Sequence, residues 1–145
     1  MIVHLTQSRD ETVTLGKLFG AILRAGDVVA LTGTLGSGKT SFITGACAGV
    51  GVAAHPSSPT FTLIHEYPAP FGIVAHIDLY RIGSPAELDQ LGIEEYFNGQ
   101  TICFIEWAEM IIDRVPEQYY AVCMNHGSGE DQRSIAISRV HGGAR

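Results

Sequence analysis

The stretch Gly33-Thr34-Leu35-Gly36-Ser37-Gly38-Lys39-Thr40 satisfies the spacing G-x-x-x-x-G-K-[ST] in full, and this constrains the fold more than any other feature of the chain. Glycines let a backbone curl over an anion with its N–H groups turned inward, a path that a Cβ would obstruct. Lys39 supplies a point charge for β- and γ-phosphates, and Thr40 offers a hydroxyl to Mg²⁺. The flanks suit the motif. Asp27 to Thr32 is a short apolar, β-branched run expected as a buried strand, and Lys39 to Ala48 is expected as a helix closed by Gly49 and Gly51. The positive end of that helix faces the bound phosphates.

The chain has 145 residues, which fits one domain at ~100 to 200 residues per domain. We expect that domain over residues 1–140, with 141–145 a frayed tail. No apolar run approaches the ~20 residues that span a bilayer, and the N-terminus lacks the basic and apolar regions of a signal peptide. A cytoplasmic protein without a membrane partner is the expectation. Nine Lys and Arg stand against 15 Asp and Glu, a net charge of −6, and only Lys17 and Lys39 are lysines. No basic cluster exists to grip nucleic acid directly, so contact with RNA would have to come through a partner. Cys47, Cys103 and Cys123 lie far apart in apolar segments and read as small buried hydrophobes.

Ile2 to Thr6 reads as a strand, and Ser8-Arg9-Asp10-Glu11 as a capping box opening a helix. That helix carries Val13, Leu15, Leu18, Phe19, Ile22 and Leu23 roughly on one side and is expected to run to Gly26 and to pack on the sheet. Val52 to Pro59 holds two prolines and no periodicity, so it reads as a loop, either a plain connector or a segment that responds to the γ-phosphate. Phe61–Glu66 and Ile73–Ile77 read as a hairpin joined through Pro68–Gly72. The second of these strands ends at Asp78. His76 and Asp78 could ligate a transition metal, but no third ligand is near, and Asp78 acting on Mg²⁺ or water fits better.

Ser84-Pro85-Ala86-Glu87 is a second capping box, followed by a short helix to Gln90, a break at Gly92 and another turn through Phe97. Thr101 to Ile105 is nearly all apolar, as for a strand buried on both faces in a central parallel position, and it delivers Glu106 to the same sheet edge as Asp78. Trp107 follows, either a core tryptophan or a sensor of nucleotide or partner. A helix through Arg114 is expected next, then strands Tyr119–Met124 and Arg133–Arg139 as an antiparallel addition at the sheet's edge. The fold class is α/β: a P-loop NTPase-like three-layer fold with a mostly parallel central sheet and antiparallel additions.

Gly-Thr-Leu-Gly-Ser-Gly-Lys-Thr, Ser58-Pro-Thr-Phe61, His76-Ile-Asp-Leu-Tyr-Arg81, Leu91-Gly-Ile-Glu-Glu-Tyr-Phe97 and Ile105-Glu-Trp-Ala-Glu109 occur here in that order. In this order and spacing the chain resembles the TsaE family, formerly called YjeE, almost end to end. The resemblance implies a small bacterial ATPase that assists the TsaB and TsaD proteins in the threonylcarbamoyladenosine modification of tRNA, touching tRNA only indirectly. It further implies Thr40 and Glu106 as Mg²⁺ ligands, Asp78 near the γ-phosphate, and Ser58–Phe61 as a switch. Two departures stand out: Thr34 replaces the aspartate usual in the family's loop, and Ala108 the proline common after Glu-Trp.

The candidate ATP-binding residues are therefore Gly33, Thr34, Gly36, Ser37, Gly38, Lys39, Thr40 and Ser41. Arg133 and the segment Ser8–Glu11 are candidates for the adenine side, and Asp78 and Glu106 are the candidate catalytic acids. Three functions compete on these residues. An Mg²⁺-dependent ATPase subunit has its full parts list present. A small-molecule kinase lacks an evident acceptor pocket and arginine-bearing lid. A noncatalytic nucleotide-dependent module is the third, since no arginine finger is evident. The guanine motif Asn-Lys-x-Asp and the signature Leu-Ser-Gly-Gly are both missing, which disfavours a GTPase and an ABC-type ATPase.

Overall fold

Two apolar strands set the layering. The structure, a computed structural model, describes residues 1–34, 36–53 and 63–141. In β2 (Val28–Gly33), Val29 and Leu31 face one side and Val28 and Ala30 the other; in β5 (Ile102–Glu106), Phe104 and Ile105 divide in the same way. Two separate cores result, one on each face of the sheet, and helices must cover both.

Seven strands form one sheet in the order β1-β7-β6-β2-β5-β4-β3. The remaining strands are β1 (Ile2–Thr6), β3 (Ile64–Ala69), β4 (Gly72–Asp78), β6 (Tyr119–His126) and β7 (Arg133–Val140). β6, β2, β5 and β4 run parallel, whereas β3 and β7 are antiparallel to their neighbours. The expected mostly parallel sheet with antiparallel additions is thus the observed one. One placement differs: β6 is not at the edge but inside the sheet, parallel to β2, and only β7 and β1 extend beyond it. β3 runs on through Pro68, which the sequence assigned to the turn; as an edge strand it can leave the missing N–H unpaired.

Helix α1 (Arg9–Gly20) and helix α2 (Lys39–Val50) cover one face; α3 (Pro85–Leu91) and the 3₁₀ turn Ile93–Tyr96 lie with the core of the other. Both capping boxes form, with a shift. Ser8 Oγ accepts from the Glu11 N–H, while the Glu11 carboxylate accepts from Gln7 rather than from the cap residue itself. Ser84 and Glu87 repeat this, with Glu87 accepting from Gly83.

α1 ends at Gly20, short of Gly26, and its buried face is Thr12, Gly16, Phe19 and Gly20. Leu18 and Ile22, expected inside, are exposed. Glycine pairs decide this. A Cβ on Gly16 or Gly20 would run into the Phe42 or Ala46 carbonyl oxygen of α2, and one on Gly45 or Gly49 into the Val13 or Lys17 carbonyl oxygen of α1. The helices therefore meet backbone to backbone, and α1 packs chiefly on α2, reaching the sheet through Phe19 against Tyr120. Gly49 is accordingly a packing residue within α2 rather than its terminator; Gly51 ends the helix in the left-handed region. Gly45→Ala is expected to cost about 1–3 kcal/mol, because overpacking here meets main chain that cannot rotate aside. Calorimetry showing an unchanged unfolding midpoint would contradict so close a contact.

No α-helix follows β5: a 3₁₀ turn Ala108–Met110 and further turns carry the chain to Val115. Cys47 and Cys103 are buried, and burial pushes both thiols up to about 12, in keeping with inert core residues; Cys123 is half-buried. Among the described residues no helix is long and apolar enough to cross a membrane. Leu35, the Ser58–Phe61 segment expected as a switch, the expected loop beyond Ala53, the start of the expected Phe61 strand and the tail from Gly142 lie outside the described residues.

Candidate functional site

The carboxyl ends of β2, β5 and β4 stand side by side, and each delivers one piece of the site. From β2 the chain enters the glycine loop. Gly36 and Gly38 both have positive φ, 74° and 93°, so it is the backbone conformation rather than crowding that calls for glycine there. α2 starts directly from Gly38, so its first turn faces the loop with unpaired N–H groups. From β5 comes Glu106, and from β4 comes Asp78, its register partner.

These groups share a cavity of about 350 Å³ lined by Gly36 through Ser41, Asp78, Tyr80, Glu106 and Trp107. Lys39 is buried, with Nζ donating to the carbonyls of Gly33 (3.2 Å) and Thr34 (2.9 Å) and lying 3.5 Å from Ser37 Oγ. Its ammonium thus rests on the loop's own oxygens. It also lies 4.1 Å from the centroid of the Trp107 ring. Burial lowers its pKa, and the nearby Glu106, Glu109 and Asp78 oppose that shift. An arriving phosphate would give the ammonium charge-assisted hydrogen bonds in place of those it makes to the loop carbonyls.

The Thr40 hydroxyl donates to Glu106 Oε1 at 3.4 Å, and Glu106 Oε2 is 2.6 Å from His76 Nε2. Asp78 Oδ1 accepts from the Tyr80 N–H at 3.0 Å. Burial raises the Asp78 pKa, the Tyr80 hydrogen bond works against that rise, and neighbouring Glu106 adds to it. A hydroxyl and a carboxylate from facing elements form a hard oxygen pair. This donor set suits Mg²⁺, which keeps water and phosphate oxygens for its other positions. Among the described residues no group of three His, Cys, Asp or Glu side chains could hold a metal unaided.

Trp107 has φ 58° and ψ 48°, the one positive-φ residue other than glycine among those described. Side chains with a Cβ visit this region at a cost of about 1–2 kcal/mol. The turn it makes directly after Glu106 lays the indole over Lys39 and 5.0 Å from the Tyr80 ring.

Arg133 is not in this cavity. It lines a neighbouring one of about 220 Å³ with Arg9, Thr12 and Asp131, the two cavities meeting at Gly36, Gly38 and Ser41. Its Nη1 donates to the Glu130 and Gln132 carbonyls, so the guanidinium is braced by its own turn. Arg9, within the Ser8–Glu11 segment, faces the same space. Sequence reasoning passed over Tyr80 as a lining residue and His76 as the partner of Glu106. The alternation of β4 puts His76 and Asp78 on one face, but nothing local indicates that His76 meets an acid thirty residues away.

The family model described as "Threonylcarbamoyl adenosine biosynthesis protein TsaE" matches residues 6–135. The Bacillus subtilis tRNA threonylcarbamoyladenosine biosynthesis protein TsaE is 38% identical over 135 residues, 93% of this chain and 84% of that protein. Its Haemophilus influenzae namesake is 38% identical over 127 residues, 84% of this chain and 79% of that protein. The crystal structure of Bacillus subtilis YdiB superimposes with a TM-score of 0.76 at 31% identity, covering 99% of this chain and 87% of that one. With the glycine loop, the paired acids and these likenesses in agreement over most of its length, the chain belongs to the TsaE family of threonylcarbamoyl adenosine biosynthesis proteins.

Proposed function

We propose that the chain is a cytoplasmic, Mg²⁺-dependent ATPase subunit that acts with TsaB and TsaD in the threonylcarbamoyladenosine modification of tRNA. The observation that carries this reading is the convergence of Lys39, the Thr40–Glu106 pair and Asp78 on one cavity at the carboxyl edge of parallel strands. Lys39 and the loop N–H groups bind the phosphates. Thr40 and Glu106 would hold Mg²⁺, which when bound draws charge from the phosphate oxygens as the terminal phosphoryl group passes to water. Asp78 has one oxygen on the Tyr80 N–H, leaving the other to accept from and orient the attacking water.

A second reading, a nucleotide-dependent module without turnover of its own, is favoured by one feature: no arginine lines the phosphate cavity among the described residues. A partner that closes over the cavity excludes water and can supply the missing positive charge, which makes hydrolysis conditional on assembly. Phosphate release and Trp107 fluorescence should both be followed while a TsaB–TsaD complex is titrated into the ATP-loaded protein. Slow turnover alone, with acceleration and a fluorescence change on titration, is the expected result. No acceleration despite a fluorescence change would favour the second reading, and a flat response in both would remove the coupling.

A further inference from the structure

His76 is wholly buried on β4, and its two ring nitrogens are treated very differently. Nε2 lies 2.6 Å from Glu106 Oε2, while Nδ1 has no hydrogen-bond partner among the described residues. Nε2 is therefore the ring nitrogen that engages the carboxylate, donating its N–H to Oε2. Glu106 thereby loses its freedom of orientation. With Oε2 taken by His76, it is Oε1 that faces Thr40.

We infer that His76 is a positioning residue: its Nε2–H holds Oε2 of Glu106 so that Oε1 is presented, together with the Thr40 hydroxyl, as a preset half-site for a divalent cation. This rests on the reading of Glu106 as a cation ligand given above. A hydrogen bond behind a ligand typically changes metal affinity ~10- to 100-fold, by fixing the ligand's orientation before the metal arrives.

The test is a Mg²⁺ titration of the ATP-bound protein read through Trp107 fluorescence, beside ATP affinity measured without Mg²⁺. His76→Leu should raise the half-saturating Mg²⁺ about tenfold or more and leave metal-free ATP affinity within about twofold. His76→Gln places an amide N–H near the position of Nε2, so it should titrate within about threefold of the parent; His76→Asn places it near Nδ1 and should behave like the leucine variant. Glu106→Gln is the control for the underlying reading. If it shifts the curve and His76→Leu does not, His76 is only packed against Glu106 and the inference fails alone. If Glu106→Gln leaves the curve unmoved, the ligand reading fails and takes the inference with it. Should His76→Leu not fold, the glutamine and asparagine variants decide, since they carry one amide a single methylene apart: equal shifts in both would overturn the proposal.

Discussion

Lys39→Ala is expected to weaken ATP binding by ~100-fold or more, the consequence of losing charge-assisted hydrogen bonds of about 1.5–3 kcal/mol each in a partly desolvated site. The reason lies in what surrounds the lysine. Glu106, Glu109 and Asp78 all bear on its ammonium, and among the described residues no other basic side chain lines the cavity it shares with Asp78 and Glu106. Its removal therefore leaves a phosphate in that cavity facing acids, with backbone N–H groups as the main offset. Folding should be nearly unaffected, because deletion relieves the burial of a charge while forfeiting hydrogen bonds to Gly33 and Thr34. Isothermal titration with ATP checks the first part and thermal unfolding the second. Parent-like affinity would mean that the loop does not hold the phosphates.

The predictable parts of the fold were those whose causes are local. β2 and β5 are legible because each is a short apolar run ended by glycine or an acid, and both helix starts because Ser8 with Glu11 and Ser84 with Glu87 solve the problem of unpaired N–H groups within four residues. The position of β6 was not legible: the apolar run Tyr119 to Met124 marks a strand but not its neighbours, and what places it inside is its pairing with β2, nearly a hundred residues earlier in the chain. The extent and packing face of α1 were misread for a related reason. Leu18 and Ile22 dominate a hydrophobicity count, yet Gly16 and Gly20 set the contact, and their value depends on Gly45 and Gly49 in another helix.

The site divides in the same way. Gly36, Gly38, Lys39 and Thr40 follow from their own spacing, and Asp78 and Glu106 from ending apolar strands. What the spacing did not contain is the orientation of those groups: Lys39 drawn back onto the loop carbonyls, Trp107 turned through a left-handed conformation to lie over it, and His76 holding one oxygen of Glu106. Each depends on contacts between separate elements. Arg133, a candidate for the adenine side, lines the cavity shared with Arg9, which meets the phosphate cavity at Gly36, Gly38 and Ser41.

Glu106→Gln should have the second large effect, in the opposite pattern to Lys39→Ala. The amide keeps the size of the side chain and can still meet the Thr40 hydroxyl, but it no longer carries the charge a divalent cation requires. Hydrolysis in the presence of TsaB and TsaD should fall ~100-fold or more, as expected when a group holding the metal or orienting water is neutralised. ATP binding should persist, because the Lys39 and backbone contacts to phosphate remain. Loss of the Glu106 charge also removes one of the influences that raise the Asp78 pKa, so that acid stays ionised to lower pH in the variant.

The most direct test of the site as a whole is to measure ATP affinity and single-turnover phosphate release on the same preparation of Glu106→Gln, with Mg²⁺ and the partner complex present. Retained binding with turnover reduced ~100-fold is the predicted result. Turnover at the parent rate would contradict it, and would mean that the Thr40–Glu106 pair is a structural contact rather than the centre of the chemistry.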